Sequence, residues 1–237
     1  MALLANQGFR QKLFSEDGHE ILDDEVLGSA PLKLQVLVLE FWPPDAENSQ
    51  SMVTACAVND SLALEKLLQR PVTPNLTDAE GRTPLYHAAL NGNTKPMQLL
   101  LEAEADKDAG EIGVGATPLH AAVFGGHLEA VRLLLETGAS KDKLAFTDGA
   151  TPLHLAAEAG HLDVVRLLIE VGANKDQPTA LHGATPLHLA AEAGHADVVQ
   201  LLVEAGANKD HPNTANGGTP TTEGAGWSRG QQGSTYD

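Results

Sequence analysis

Cysteine is almost absent from this sequence, since Cys56 is the single one among 237 residues. An intramolecular disulfide and a cysteine-based zinc cluster are therefore excluded. Aromatic residues are also scarce, at 4%, although hydrophobic residues make up 42% of the chain. Alanine and leucine must then supply most of the packing, which favours thin layers of helix on helix over one thick core.

Positive charge is the next deficit. Lysine and arginine total 15 against 32 aspartates and glutamates, which gives a formal net charge of −17. No run of basic residues interrupts this balance. A surface of this sign repels phosphate backbones and anionic lipid, so neither nucleic acid nor a membrane surface is an expected partner.

Long apolar runs are missing as well. The most apolar segment, Leu32–Phe41, is about half the length that a membrane-spanning helix needs. The first residues, MALLANQGFRQKLF, lack the basic start and long apolar stretch of a secretion signal. We expect a soluble chain of intracellular type, cytoplasmic or alternatively nuclear.

Repetition is the dominant feature of the sequence. The stretch GATPLHLAAEAGHLDVVRLLIEVGANKD, Gly149–Asp176, returns as GATPLHLAAEAGHADVVQLLVEAGANKD at Gly183–Asp210. Thr-Pro pairs mark the same point in successive copies, 34 residues apart, at Thr83, Thr117, Thr151, Thr185 and Thr219. Near-verbatim copies indicate units that stack on one another, with the function on the surface that the stack presents.

Each unit predicts two short helices. Thr151 is a natural N-cap, and Pro152 follows at the first helical position, where its missing N–H costs nothing. Gly160 ends the first helix and Gly172 the second. Apolar residues at helical spacing predict the buried faces, with Leu153, Ala156 and Ala157 in the first helix and Leu162, Val165, Leu168 and Ile169 in the second.

The sequence TPLHLAAEAGH…VVRLLIEVGAN resembles the ankyrin repeat, over roughly residues 50 to 218. The resemblance implies a mostly α fold, an ankyrin-repeat α-solenoid of paired antiparallel helices with connector fingers. The family's unit has 33 residues, whereas the unit here has 34. We expect the extra residue to fall in the connector between helix pairs. The first clear unit departs from the pattern at four positions. Tyr86 replaces the first His, Asn93 replaces the second His, Pro96 lies early in the second helix, and Glu104 replaces the terminal Gly.

The repeats divide the chain into segments. Residues 50–80 keep the two-helix spacing through Ala55, Leu64, Leu67 and Leu68 without TPLH, so they predict a degenerate N-terminal capping repeat. Residues 81–218 hold four repeats. Residues 219–237 begin a further unit without completing it, and their Gly, Ser and Gln content predicts a disordered tail. The expected protein is a monomer whose C-terminal end is poorly capped.

The first 42 residues have a different pattern. A strand-like run at Phe9–Phe14, a turn at Glu16–Gly18 and an apolar strand at Leu32–Leu39 resemble the C-terminal half of a ubiquitin-like domain, over residues 9–41. Only about eight residues precede this segment, and it ends in LEFWPP instead of a Gly-Gly tail. The prediction is a small, incomplete β-rich segment that is truncated, degenerate or a false resemblance.

Chemical sites are weakly indicated. The histidines recur at fixed repeat positions, as His120, His154 and His188 and as His127, His161 and His195. The resemblance implies that these imidazoles bond threonine hydroxyls and backbone groups, and no ligand spacing predicts a metal site. His182 and His211 lie in connectors and are expected to be solvated. Cys56 is expected to be a buried helix residue rather than a nucleophile. We therefore expect no catalysis and no cofactor.

The ankyrin resemblance implies partner binding through the fingers and the inner face of the first helices. Phe124 and Phe146 are candidate anchors, and burial between units is the alternative for either. Glu158 and Glu192 on one face suggest a basic or mixed partner. The candidate contact residues are Glu80, Arg82, Leu90, Asn91, Val114, Phe124, Phe146, Thr147, Asp148, Glu158, Leu181, His182 and Glu192.

The function predicted from the sequence is a non-catalytic protein-interaction scaffold whose protein partner is unknown. A ubiquitin-pathway adaptor that recruits clients through the repeats is the alternative, and only the first fifty residues favour it. An enzyme or metal protein, and a gene fragment without a selected partner, are further alternatives.

Overall fold

The computed structural model describes residues 13–14, 20–21, 46–70, 72–146 and 148–212. Within these ranges the chain is mostly helical, with ten α-helices and one pair of two-residue strands. The strands are β1 (Leu13–Phe14) and β2 (Glu20–Ile21). The helices are α1 (Ala46–Ala57), α2 (Ser61–Leu68), α3 (Pro84–Leu90), α4 (Thr94–Glu102), α5 (Pro118–Phe124), α6 (Leu128–Glu136), α7 (Pro152–Ala159), α8 (Leu162–Glu170), α9 (Pro186–Ala193) and α10 (Ala196–Glu204).

The N-terminal strands pair antiparallel, with Leu13 opposite Ile21 and Phe14 opposite Glu20. The predicted turn at Glu16–Gly18 lies outside the described residues. The rest of the segment predicted to be ubiquitin-like, including Leu32–Leu39, lies outside the described residues, as does the predicted tail at 219–237. A pair of two-residue strands does not support a ubiquitin-like fold.

The helices form pairs that stack in sequence order. The first helices pack on one another, α1 on α3, α3 on α5, α5 on α7 and α7 on α9, and the second helices form a parallel layer through α2, α4, α6, α8 and α10. This arrangement confirms the predicted solenoid of paired helices. No helix in the described part of the chain has both the length and the apolar character to cross a membrane.

Leucine and alanine build the core, as the shortage of aromatic residues predicts. Every clear unit contributes the same three fully buried side chains, a leucine and an alanine from the first helix and a leucine from the second. In the first helices these are Leu85, Leu119, Leu153 and Leu187, followed three residues later by Ala88, Ala122, Ala156 and Ala190. In the second helices they are Leu100, Leu134, Leu168 and Leu202. Alanine lets neighbouring first helices approach closely, while leucine fills the space between the two layers. Burial of one leucine side chain contributes about 1.5–3 kcal/mol.

The first helices begin at the predicted Thr-Pro pairs, and glycines lie at the predicted helix ends. Thr83, Thr117, Thr151 and Thr185 are the N-caps of α3, α5, α7 and α9, each followed by proline. Gly160 adopts the left-handed conformation at the end of α7, with φ 72°. After the second helices, Gly138, Gly172 and Gly206 have φ of 85°, 76° and 80°.

The capping unit begins earlier than residue 50, because α1 starts at Ala46. Ala55 and Leu64 are buried, whereas Leu67 and Leu68 are half-buried against the core. Asp60 caps α2, since its carboxylate accepts the Ala63 N–H at 2.9 Å. The degenerate unit therefore has real helix-forming signals of its own, although it lacks TPLH.

Glu104 occupies a backbone position that glycine fills in the next three units. It is exposed and has φ 61°, a conformation that costs an L-residue about 1–2 kcal/mol. We predict that Glu104→Gly raises the free energy of unfolding by about 0.5–1 kcal/mol, since glycine's greater freedom in the unfolded chain offsets part of the gain. Urea unfolding followed by circular dichroism measures it. Glu104→Ala keeps the Cβ and is the control; an equal gain in both variants, or none in either, contradicts the assignment.

Candidate protein-binding surface

The connectors before α5, α7 and α9, at residues 103–116, 137–150 and 171–184, are called fingers here. Each finger turn is closed by one backbone bond, from Glu111 N–H to Ala116, from Ala145 N–H to Ala150 and from Thr179 N–H to Ala184, over 2.9–3.1 Å. In the connector before α3, the corresponding bond runs from the Asp78 N–H to the Arg82 carbonyl. Its two residues are one position closer in sequence than those of the three finger bonds. The extra residue of the 34-residue period therefore lies at the finger turn, which confirms the prediction that it falls in the connector.

Successive fingers are joined to one another by a ladder of backbone hydrogen bonds. The N–H groups of Ile112, Phe146 and Ala180, one unit apart, donate to the carbonyls of Glu80, Val114 and Asp148 over 3.1, 2.6 and 2.6 Å. A second ladder lies at the start of the fingers, where the backbone N–H groups of Ser140, Asn174 and Asn208 donate to the carboxylates of Asp108, Asp142 and Asp176 over 2.7–2.9 Å. The fingers thus form one connected edge of the array.

Three large apolar side chains are exposed on the finger turns. Ile112 is 75% exposed and Leu181 59%. Phe146 is 37% exposed, because its ring lies edge-on to His120 with centroids 6.1 Å apart. Phe146 is thus partly buried between units, the alternative left open by the sequence. Ile112 is missing from the predicted contacts although it holds the same repeat position as Phe146, and that periodicity could have identified it.

A single repeat position at the end of the first helices is occupied by Leu90, Phe124, Glu158 and Glu192, which we call the inner row. Phe124 is 69% exposed and does not pack between units. Glu158 and Glu192 are exposed and Leu90 is half-buried. The next position holds Asn91, Gly125, Ala159 and Ala193, all exposed. The inner row is therefore an accessible strip that crosses four units.

The backbone of the inner row is held by the neighbouring unit. His127 Nε2 donates to the Leu90 carbonyl at 3.1 Å, and His195 Nε2 donates to the Glu158 carbonyl at 3.0 Å. Asn93, which replaces the histidine in the first clear unit, donates through Nδ2 to the carbonyls of Cys56 and Ala57 at 2.8 and 3.0 Å. Asparagine thus keeps the link between units that the histidine makes elsewhere.

Glycine makes room for these imidazoles. A Cβ on Gly160 would lie 2.5 Å from the His195 ring, and one on Gly126 would lie 2.8 Å from the His161 ring. Both glycines also have positive φ, of 72° and 68°. The repeated Gly-His pair is therefore a packing element that positions the inner row, and no catalytic role is needed to explain it.

Polar contacts join the first two clear units at the finger side. Arg82 Nε donates to Glu111 Oε2 at 2.7 Å, and its guanidinium carbon lies 5.8 Å from the centre of the Tyr86 ring. Asp78 accepts from His87 Nε2 at 2.7 Å. Burial acts to raise the pKa of Asp78, but hydrogen bonds from the Arg82 backbone and His87 outweigh it and lower that pKa. Arg82 is thus already paired within the array.

The other predicted contacts are placed as follows. Glu80 is exposed in the connector before α3, and His182 is exposed at a finger turn. Val114 and Asp148 are half-buried at finger turns, and Thr147 lies outside the described residues. Asn91 donates through Nδ2 to the His87 carbonyl at 2.8 Å. His211 is not fully solvated as predicted: it is half-buried with Nδ1 shielded, because its ring packs edge-on to His188 at 6.3 Å.

The threonine-associated histidines are buried and take part in helix capping. The N–H groups of Thr117, Thr151 and Thr185 donate to Nδ1 of His120, His154 and His188 over 3.1–3.2 Å. Because Nδ1 accepts, the proton of the neutral ring is on Nε2, and His154 Nε2 donates to the Ala184 carbonyl of the next unit at 3.1 Å. Histidine here fills the position of the glutamate in a capping box.

Reactive groups do not converge in the described residues. Cys56 is fully buried, and burial raises the pKa of its thiol to about 12, which makes it a poor nucleophile. No group of three or more His, Cys, Asp or Glu side chains with metal-binding geometry is found in that part of the chain. The exposed apolar and acidic side chains of the inner row and fingers are the features suited to binding.

The family model for ankyrin repeats (3 copies) matches residues 52–145 and 139–213, which together cover more than half of the chain. The chain belongs to the ankyrin-repeat family. The match does not reach residues 9–41, so the ubiquitin-like interpretation has no support from it. The repeats are the part of the sequence that the family explains.

Curated relatives share short stretches with the chain. Caskin-1 of Rattus norvegicus is 39% identical in an alignment 72 residues long that covers 25% of this chain and 5% of Caskin-1, and Caskin-1 of Mus musculus gives the same values. The ADP-ribosylation factor GTPase-activating protein AGD4 of Arabidopsis thaliana is 45% identical over 51 residues, 22% of this chain and 7% of AGD4. The chain thus matches less than a tenth of the length of either relative.

The buried histidines predict a fold that weakens in mild acid. Burial lowers the pKa of His120 from 6.5 to about 4, and it lowers the pKa of His154 in the same direction. The unfolded chain takes up these protons near pH 6.5 while the folded chain resists, so the stability is fully present above pH 6.5 and is lost as the pH falls. Each histidine contributes a slope of at most about 1.4 kcal/mol per pH unit.

Urea unfolding at intervals from pH 7 to pH 5 measures this slope. His154→Tyr, which copies the tyrosine of the first clear unit at Tyr86, is the matched variant and should show a shallower slope whatever its absolute stability. A free energy of unfolding that stays constant or rises as the pH falls from 6.5 to 5 would contradict the account.

Proposed function

We propose that this chain is a protein-interaction scaffold that binds a partner protein reversibly through the inner row and the finger turns. Membership of the ankyrin-repeat family supports binding of a protein as the general role. The observation that carries the proposed location is Phe124, which is 69% exposed at the end of a helix whose other apolar residues are buried. Exposed aromatic side chains are favoured anchors in protein interfaces.

The framework around Phe124 is suited to binding without rearrangement. The carbonyl of Leu90, one unit before it, is fixed by His127, and the finger turns are fixed by the ladder through Ile112 and Phe146. A surface built on such repeated bonds loses little conformational entropy when a partner docks, which favours affinity. The variable side chains on this framework then select the partner.

The activity in the name of AGD4 is not part of this proposal. The shared stretch is 51 residues within the repeats and 7% of that protein. What the two chains have in common is therefore repeat sequence. The ubiquitin-adaptor alternative depends on residues 9–41, of which the structure describes only Leu13–Phe14 and Glu20–Ile21, so nothing favours it over the simpler scaffold.

Affinity capture with the immobilised full chain tests the proposal. The extract comes from cells that express the protein, and the comparison is between the wild type and Phe124→Ala combined with Phe146→Ala. Loss of one buried aromatic anchor weakens a protein complex by about 2 kcal/mol or more, which is about thirtyfold. We predict that specific prey proteins are retained by the wild type and lost from the double variant.

The matched control removes one exposed apolar side chain elsewhere and is compared with the single variant Phe124→Ala. Leu62 is 62% exposed and lies on α2, outside the inner row and the fingers. Leu62→Ala should keep the prey. If the Phe124 and Phe146 variant retains the same prey as the wild type, or the control loses it, the assigned surface is wrong.

A further inference from the structure

The inner row changes its chemical character along the array. Leu90 and Phe124 make its first half apolar, and Glu158 and Glu192 make its second half acidic. The four residues occupy one repeat position, so the change follows the direction in which the units stack. A partner that fits the whole row must therefore change character in the same way.

The two carboxylates have no counter-ion in the described part of the array. The ion pairs there join Arg82 with Glu111, His87 with Asp78, Arg132 with Glu129, Lys141 with Asp142 and Lys175 with Asp176. Beside the two carboxylates, Ala159 and Ala193 are exposed and uncharged. An approaching cation would thus meet two unpaired negative charges next to small side chains that leave room for it.

The stacking of the units sets the spacing of these groups. Packed helices lie about 8–10 Å apart, so Glu158 is about one such step from Phe124 and Glu192 about two. A segment in the extended polyproline II conformation advances about 3.1 Å per residue and has three residues per turn, so every third side chain lies on the same face. A segment lying along the row would therefore bring its third residue beyond the Phe124 contact close to Glu158, and its sixth close to Glu192.

We propose that the inner row binds an extended segment of a partner protein in which one large apolar side chain is followed, about three and six residues along, by lysine or arginine. This inference rests on the proposed function and specifies its partner. The apolar side chain packs on Phe124 and Leu90, and the two cations face Glu158 and Glu192. The segment can run in either chain direction, because side-chain spacing alone defines the fit.

Charge also decides between this occupant and two others. A second copy of the chain would bring another net charge of −17 to an acidic surface, which is unfavourable. Nucleic acid would bring phosphates to the same carboxylates. A basic and apolar peptide segment is the occupant that both halves of the row favour.

Selection of displayed random 12-residue peptides on the full chain tests the proposal. We expect enriched peptides to share one large apolar residue with basic residues about three and six positions away. Enriched peptides without this pattern, or no enrichment at all, overturn the proposal.

Variants then connect the selected peptides to the named residues. Glu158→Gln combined with Glu192→Gln should weaken binding of an enriched peptide, measured by fluorescence anisotropy, about fivefold at low salt and less at high salt. Asp163→Asn combined with Glu170→Gln makes the same charge change on α8, at two exposed positions, and should leave binding unchanged. Equal effects of the two pairs overturn the proposal.

Charge reversal gives the sharpest test. Glu158→Lys combined with Glu192→Lys should lose the basic peptide and bind a version in which its two basic residues are replaced by glutamate. Circular dichroism confirms that the variant is folded, and a folded variant that does not bind the reversed peptide overturns the inference. Prey that depends on Phe124 but is insensitive to Glu158 and Glu192 would leave the proposed function standing while the inference fails.

Discussion

The structure depends on one constraint: the two short helices of a single unit bury too little apolar surface against each other for the unit to be stable alone. The constraint is met by stacking, in which each clear unit places leucines such as Leu153 and Leu168 at positions with no solvent exposure. The same interfaces hold the candidate binding surface, because the imidazole of His195 fixes the carbonyl of Glu158 one unit away. Stability and recognition therefore use the same contacts between neighbouring units.

This coupling explains why the framework residues repeat while the surface residues differ. In successive units, the N-caps are Thr151 and Thr185, the glycines that end the first helices are Gly160 and Gly194, and the core leucines are Leu153 and Leu187. In the inner row, Leu90 is half-buried against the core, whereas the side chains of Phe124, Glu158 and Glu192 face solvent and do not support the framework. Substitutions there change what the array binds at little cost to the fold, which is the basis of function on repeat scaffolds.

Most of the fold could be predicted from the sequence, because the repeat signals are local and agree with one another. Thr-Pro pairs, glycines after helices and leucine spacing indicate the helices without reference to distant residues, and the position of the extra residue followed from counting. The substitution at Asn93 could not be interpreted in this way. Its amide replaces an imidazole only by reaching carbonyls 36 and 37 residues away, a geometry that the sequence does not contain.

The candidate site was less predictable for the same reason. Whether Phe124 and Phe146 are exposed depends on which side chains the neighbouring unit places beside them. In the structure Phe124 faces solvent, whereas the ring of Phe146 packs edge-on against His120. Similarly, His211 packs on His188 although its connector composition predicts solvation. Ile112 shares the repeat position of Phe146, but its 75% exposure depends on the shape of the finger turn, which the repeat period does not contain.

The central claim is that the inner row contacts the partner. The most direct measurement is amide chemical-shift mapping of the isotope-labelled full chain with and without a captured partner or a selected peptide. The account predicts that the largest changes lie at residues 124–125, 158–159 and 192–193, with small changes on α6, α8 and α10. Changes concentrated on those second helices, with the inner row unaffected, would contradict it.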